Sequence, residues 1–189
     1  RLLDTGYNNA FYNMAVDEAI MKARARDLIP PTIRFYQWSP PGLSLGYSQY
    51  GKMVVNPDQC REAGVDVVRR LTGGRSILHD DELTYSMVIS EKSGILPASI
   101  IESYKIISRG MVNGLKELNL PVTLKSFDKN KKKEKGFSAA CFDAPSWYEV
   151  LIGEKKLIGS AQTRREGTIL QHGSIPLLWM QRKYSDCLK

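Results

Sequence analysis

At 189 residues, with 42% hydrophobic and 25% charged residues, the chain has the size and composition of one ordinary globular domain. No apolar run approaches the roughly 20 residues needed to span a bilayer, and the opening RLLDTGYNN has neither an initiator methionine nor a signal peptide's basic and apolar regions, so it reads as a trimmed piece. A net charge of +7 and a pI near 9.3 point to an acidic partner, either nucleic acid or an acidic carrier protein.

In chain order, apolar residues at helical spacing (Met14, Val16, Ala19, Ile20, Ala23) predict a helix over 13–25 with its charges on the other face. The segments 33–38 and 43–48 flank Pro40, Pro41 and Gly42 and read as strand, turn, strand. Asn56, Pro57 and Gly64 punctuate a short helix that carries Cys60 as a packing residue. A strand over 65–71 enters a Gly-Gly turn, and 75–78 and 83–89 are strand-like. A long amphipathic helix follows over 98–118, then a strand at 121–125 and the lysine-rich run KNKKKEKG at 129–136, expected to be a solvated loop. A hairpin at 147–152 and 156–162 turns at Gly153 and Glu154, and a last strand covers 168–177. Mixed helices and strands with hairpin connections predict α+β, with a mixed, largely antiparallel sheet flanked by helices, in one domain spanning 1–189.

Two stretches carry chemistry. In RRLTGGRSILHDDELTYS at 69–86, a strand running into Thr72, Gly73 and Gly74 exposes successive backbone N–H groups able to cradle a carboxylate, phosphate or thioester oxygen, or simply makes a tight turn. Arg69, Arg70 and Arg75 surround it, and strand alternation sends Arg69 and Arg70 to opposite sides. In ACFDAPSWYEVLIGEKKLIGSAQ at 140–162, Cys141 precedes the hairpin and Lys156 opens its second strand. Cys141 is either a packing residue or a nucleophile whose thiolate a nearby ammonium favours. Alternation puts Lys156, Ile158 and Ser160 on one face and Leu157, Gly159 and Ala161 on the other.

Cys60, Cys141 and Cys187 are odd in number and lack a CxxC pair, which argues against a disulfide framework and for a reducing compartment such as the cytoplasm. With only His79 and His172, no metal site is expected; His79, Asp80 and Asp81 read as a turn with a satisfied imidazole. No basic motif interleaved with aromatics supports nucleic-acid binding.

Four blocks in order, RLLDTGYNNAFYNMAVDEAI, RFYQWSPPGLSLGYSQ, RRLTGGRSILHDDELTYS and ACFDAPSWYEVLIGEKKLIGSAQTRREGTILQHGSIPL, resemble the lipoate/octanoate protein ligase and transferase family, which shares its catalytic fold with the biotin protein ligases. The resemblance is to the Gram-positive branch of octanoyltransferases. It implies Cys141 as the acyl-accepting nucleophile, Lys156 as its activating lysine, and a substrate pocket lined by Arg70, Thr72, Gly73, Gly74, Arg75, His79, Gly159, Ser160 and Ala161. The implied reaction takes octanoyl from acyl carrier protein and delivers it to a lysine of a lipoyl domain or of the glycine cleavage H protein, without a cofactor, a membrane or nucleic acid. Within the family two other chemistries stay open: an octanoyl amidotransferase between lipoyl domains, and an ATP- and Mg-dependent ligase that takes free lipoate or octanoate. Family members continue beyond Lys189, so the chain is expected to be short at its C-terminal end, and no role falls to Cys187.

Overall fold

Capping side chains and apolar spacing set the helices. Asn9 accepts from the Tyr12 N–H at 2.8 Å and starts α1, Ala10–Ala25, three residues ahead of the periodic stretch. A four-residue α2, Gly51–Val54, was not anticipated. Asn56 caps α3, Pro57–Glu62, with Pro57 at its first position. Ser99 caps α4, Ile100–Glu117. The structure is a computed structural model that describes residues 1–126, 148–177 and 187–188; the lysine-rich run and Cys141 lie outside the described residues. No helix among them is long and apolar enough to cross a membrane.

The ten strands are β1 Leu2–Asn8, β2 Thr32–Trp38, β3 Gly42–Leu45, β4 Asp66–Arg69, β5 Ile77–His79, β6 Glu82–Ser90, β7 Val122–Ser126, β8 Tyr148–Ile152, β9 Lys155–Arg165 and β10 Thr168–Pro176. Seven of them form one sheet in the order β1-β2-β6-β10-β9-β8-β7, and three form a second in the order β4-β3-β5. Only β1 with β2 and β3 with β4 run parallel, so the α+β, largely antiparallel expectation holds. Two expectations need correction. β1 was missed, because LLDTGYN shows no alternation and is broken by a register shift between Asp4 and Tyr7. The strands at 33–38 and 43–48 do not form a hairpin: β2 pairs with β1 and β6, while β3 pairs with β4 and β5 in the other sheet.

Alternation gives the large sheet two faces. Tyr85, Ile89, Val150, Ile158 and Ile169 pack with Ile107 and Val112 of α4 in the main core. Tyr36, Trp38, Val88 and Leu170 face Ala10, Met14, Ile20 and Met21 of α1, and β3 and β4 of the small sheet also pack on α1. Cys60 lies in a third cluster with Leu43, Leu45, Val65 and Cys187. Burial, and then the neighbouring Cys187, push its thiol up to about 12, which suits the packing role read from the sequence.

The charges of α1 are not all on its outer face. Glu18 pairs with Lys22 in solvent, but Asp17 is buried and meets the fully buried Arg34 of β2 at 2.8 Å. Arg34 also donates to Thr5 Oγ1, to the Asn13 carbonyl and to Asn13 Oδ1, and its guanidinium lies 3.9 Å from the centre of the Tyr36 ring. Breaking such a pair strands a buried carboxylate. Arg34→Met is expected to lower the unfolding free energy by about 3–5 kcal/mol in urea at pH 7; a loss below about 1 kcal/mol contradicts the assigned role.

Candidate active site

Between α1, β5 of the small sheet and the α1-facing side of the large sheet lies a cleft enclosing about 340 Å³ of atom-free space, part of it open to solvent. Its walls are mostly apolar: Met14 from α1, Tyr36 and Trp38 from β2, and Ile77 from β5. Trp38 stacks on His79 at 3.9 Å with 5° between the rings. Gly159, Ser160 and Ala161 of β9 and His172, Gly173 and Ser174 of β10 close the other side. Behind this wall the packing is tight: a Cβ on Gly173 would come within 2.5 Å of the Tyr85 ring and 2.6 Å of Ser160 Oγ. The Ser160 hydroxyl itself points away from the cleft, to Tyr85 OH at 2.9 Å, so Ser160 presents backbone rather than side chain.

Of the residues singled out in the sequence, Arg70, His79, Gly159, Ser160 and Ala161 line this cleft. Thr72, Gly73, Gly74 and Arg75 form the turn beside it. Arg69 and Arg70 do part company, as alternation requires. Arg69 is exposed and donates to the Gly46 and Tyr47 carbonyls. Arg70 is buried, and all five of its guanidinium hydrogens have protein acceptors. Nε donates to Thr72 Oγ1, Nη1 to the Ser44 carbonyl and hydroxyl, and Nη2 to the carbonyls of Gly73 and Arg75. The charge that looked available for an anion is committed to holding the glycine turn in shape.

Two buried polar chains start from Arg70. Thr72 Oγ1 accepts from Arg70 and lies 2.6 Å from His172 Nε2, while His172 Nδ1–H faces the Asp17 carboxylate, Oδ2 at 3.6 Å. Ser44 Oγ likewise accepts from Arg70 and donates to His79 Nε2 at 2.8 Å, while His79 Nδ1 donates to Glu82 Oε1 at 2.8 Å. Glu82 further accepts from Thr84 and Ser174, and Thr84 accepts from the Trp38 indole at 2.7 Å. Both ring nitrogens of His79 are therefore occupied, in keeping with the satisfied imidazole read from the sequence. Burial holds the His172 imidazole below its ordinary value, with Arg70 and His79 adding to the effect against the pull of Asp17. Burial alone would raise Asp17 and Glu82. The imidazole, Arg34 and Ser86 outweigh it at Asp17, and His79, Ser174 and Thr84 outweigh it at Glu82, so both stay ionised below the usual carboxylate range. Among the described residues no group of three or more His, Cys, Asp or Glu suits a metal ion.

Lys156 does not share a face with Ile158 and Ser160, as simple alternation predicts. Val150 of β8 pairs with Ile158, but the next residue, Leu151, pairs with Lys156, so Leu157 is an extra residue in β9. Leu157 and Ile158 both pack toward α4. Lys156 is thereby turned to the face that carries Gly159 and the cleft, where its Nζ meets Glu149 Oε1 at 3.0 Å.

Sequence reasoning missed Trp38, Ser44, Gly46, Glu82, Glu149 and the site role of His172, although all lie within the recognised blocks; what was lacking was any clue to which of them pair in space. Gly46 is the plainest case. A Cβ there would sit 1.9 Å from the Gly74 carbonyl oxygen, whereas one on Gly73 meets nothing within 4 Å. Gly46→Ala is therefore expected to cost about 1–3 kcal/mol or more in thermal unfolding, and Gly73→Ala within about 0.5 kcal/mol; equal effects would show that the two loops are not in contact.

The chain matches the model of the lipoyl protein ligase A/B catalytic domain over residues 9–189. Among curated relatives it is 50% identical to octanoyltransferase LipM of Moorella thermoacetica, covering 94% of this chain and 64% of that protein. It is 51% identical to octanoyltransferase LipM of Kyrpidia tusciae, covering 94% and 65%. The chain thus spans just under two thirds of the length of these relatives. Among solved structures, it superposes on lipoate-protein ligase A bound with ATP with a TM-score of 0.77 at 26% identity, covering all of this chain and 71% of that one. It also shares the fold of a bipartite lipoate protein ligase of Thermoplasma acidophilum, with a TM-score of 0.76 at 24% identity, covering all of this chain and 66% of that one. By sequence and by fold, the chain belongs to the lipoyl protein ligase A/B catalytic domain family.

Proposed function

We propose that this chain is the catalytic part of an octanoyltransferase of protein lipoylation, working in the cytoplasm and moving octanoyl from acyl carrier protein through a thioester on Cys141 to a lysine of a lipoyl domain or of the glycine cleavage H protein. The observation that carries this reading is about 50% identity, over 94% of the chain, to proteins named octanoyltransferase, against 24–26% to the ligases. The Cys141 thiolate attacks the donor thioester and the carrier's thiol leaves; the acceptor amine then attacks the acyl-enzyme, and Cys141 leaves as thiolate. Exchange between two thioesters is close to isoenergetic and the final amide is more stable, so the sequence runs without ATP. Lys156 supplies an ammonium beside the reacting carbonyl, to stabilise its oxyanion. The acyl chain lies against Met14, Tyr36 and Trp38, where seven buried carbons contribute ~5 kcal/mol before costs. The net charge of +7 favours encounter with an acidic carrier.

Intact-mass measurement after mixing the chain with octanoyl carrier protein, without ATP, tests this reading. Wild type gains one octanoyl group that hydroxylamine removes, and Cys141→Ala gains none. An adduct formed only from an octanoylated lipoyl domain assigns an amidotransferase instead. Modification of a lipoyl domain only when ATP and free lipoate are added, and unaffected by Cys141→Ala, assigns a ligase.

A further inference from the structure

We infer that Glu149 is a positioning residue that fixes the ammonium of Lys156 for acyl transfer; the inference rests on the proposed octanoyltransferase reading. The other lysine ion pairs among the described residues are more exposed: 63% and 43% for the side chains of Lys22 and Glu18, 54% and 91% for Lys125 and Glu154, and 29% and 51% for Lys105 and Glu102. The pair of Lys156 with Glu149 is withdrawn from water, at 10% and 8%. It also depends on a distortion of the sheet. Without the extra residue Leu157, Lys156 would oppose Ile152 and point into the apolar core beneath α4. With it, Lys156 opposes Leu151, which alternates with Glu149 on the cleft face, three residues ahead of Gly159. Bulges of this kind re-aim single side chains, often next to active sites.

A lysine side chain has four methylenes and many rotamers, so its position on the correct face is not by itself a fixed position for its charge. The Glu149 carboxylate, held on the adjacent strand and shielded from water, selects the rotamers that bring Nζ within 3.0 Å. Glu149 takes no proton and forms no bond to the acyl group. It acts through Lys156, so removing it should slow turnover without weakening donor binding, and should do nothing once Lys156 is gone.

The test is a double-mutant cycle on acyl-enzyme formation from octanoyl carrier protein, read by quenched intact-mass kinetics on the whole chain. Glu149→Gln is expected to lower kcat roughly 10- to 100-fold, the scale of a misplaced catalytic group, with KM for the carrier within about twofold. Glu149→Asp is expected to recover part of the loss. Combined with Lys156→Met, Glu149→Gln is expected to add no further slowing. Glu149→Met supplies the same cycle if the amide variant does not fold, which thermal melting reports. A Glu149→Gln rate within about twofold of wild type, or a loss that multiplies in full with that of Lys156→Met, overturns the inference. Absence of an acyl adduct on wild type is a different result: it removes the transferase reading itself.

Discussion

The site depends on one buried guanidinium. Arg70 sits where β4 ends, and its five hydrogens reach the Ser44 carbonyl and hydroxyl, the Thr72 hydroxyl, and the carbonyls of Gly73 and Arg75. A buried charge left unsatisfied is expensive, so these acceptors are not optional: the turn must curl its carbonyls toward Arg70. Gly46 lets β3 approach closely enough for this, because its missing Cβ is where the Gly74 carbonyl lies. Sequence-specific loop shape here follows from satisfying one cation in the core.

From Arg70 the polar order spreads to the large sheet. Thr72 carries it to His172 and Asp17, and Ser44 carries it to His79 and Glu82. Each hydroxyl accepts from arginine, and each imidazole turns its Nδ1–H to a carboxylate, Asp17 for His172 and Glu82 for His79, leaving Nε2 facing the hydroxyl. The network ends on Arg34, Asp17 and Glu82, while Trp38, Tyr36 and Met14 give the cleft its apolar walls. Lys156, turned inward by an extra residue in β9, is then the cation whose aim is set separately, by Glu149.

Much of this was legible in the sequence, for identifiable reasons. Long periodic segments announced α1 and α4, and Asn56 with Pro57 marked α3. The Gly153–Glu154 turn was plain from its residue types. β1 was not, since an edge strand with a register break has no period to read. Local turn residues at Pro40–Gly42 suggested a hairpin, but they join strands of two different sheets, a fact that only tertiary pairing decides. The bulge at Leu157 had no local signal either, and it reversed the expected face of Lys156. Arg70 was identified as a site residue, yet its bonding lay with partners up to 26 residues away, beyond the reach of any spacing rule.

Whether Arg70 holds the glycine turn against the rest of the site can be read from hydrogen exchange of Arg70→Lys. An ammonium offers three donors on a flexible stem in place of five in a rigid plane. Amide exchange is expected to be faster across residues 44–47 and 70–76, with α4 amides unchanged. Protection of both loops equal to that of wild type would contradict it.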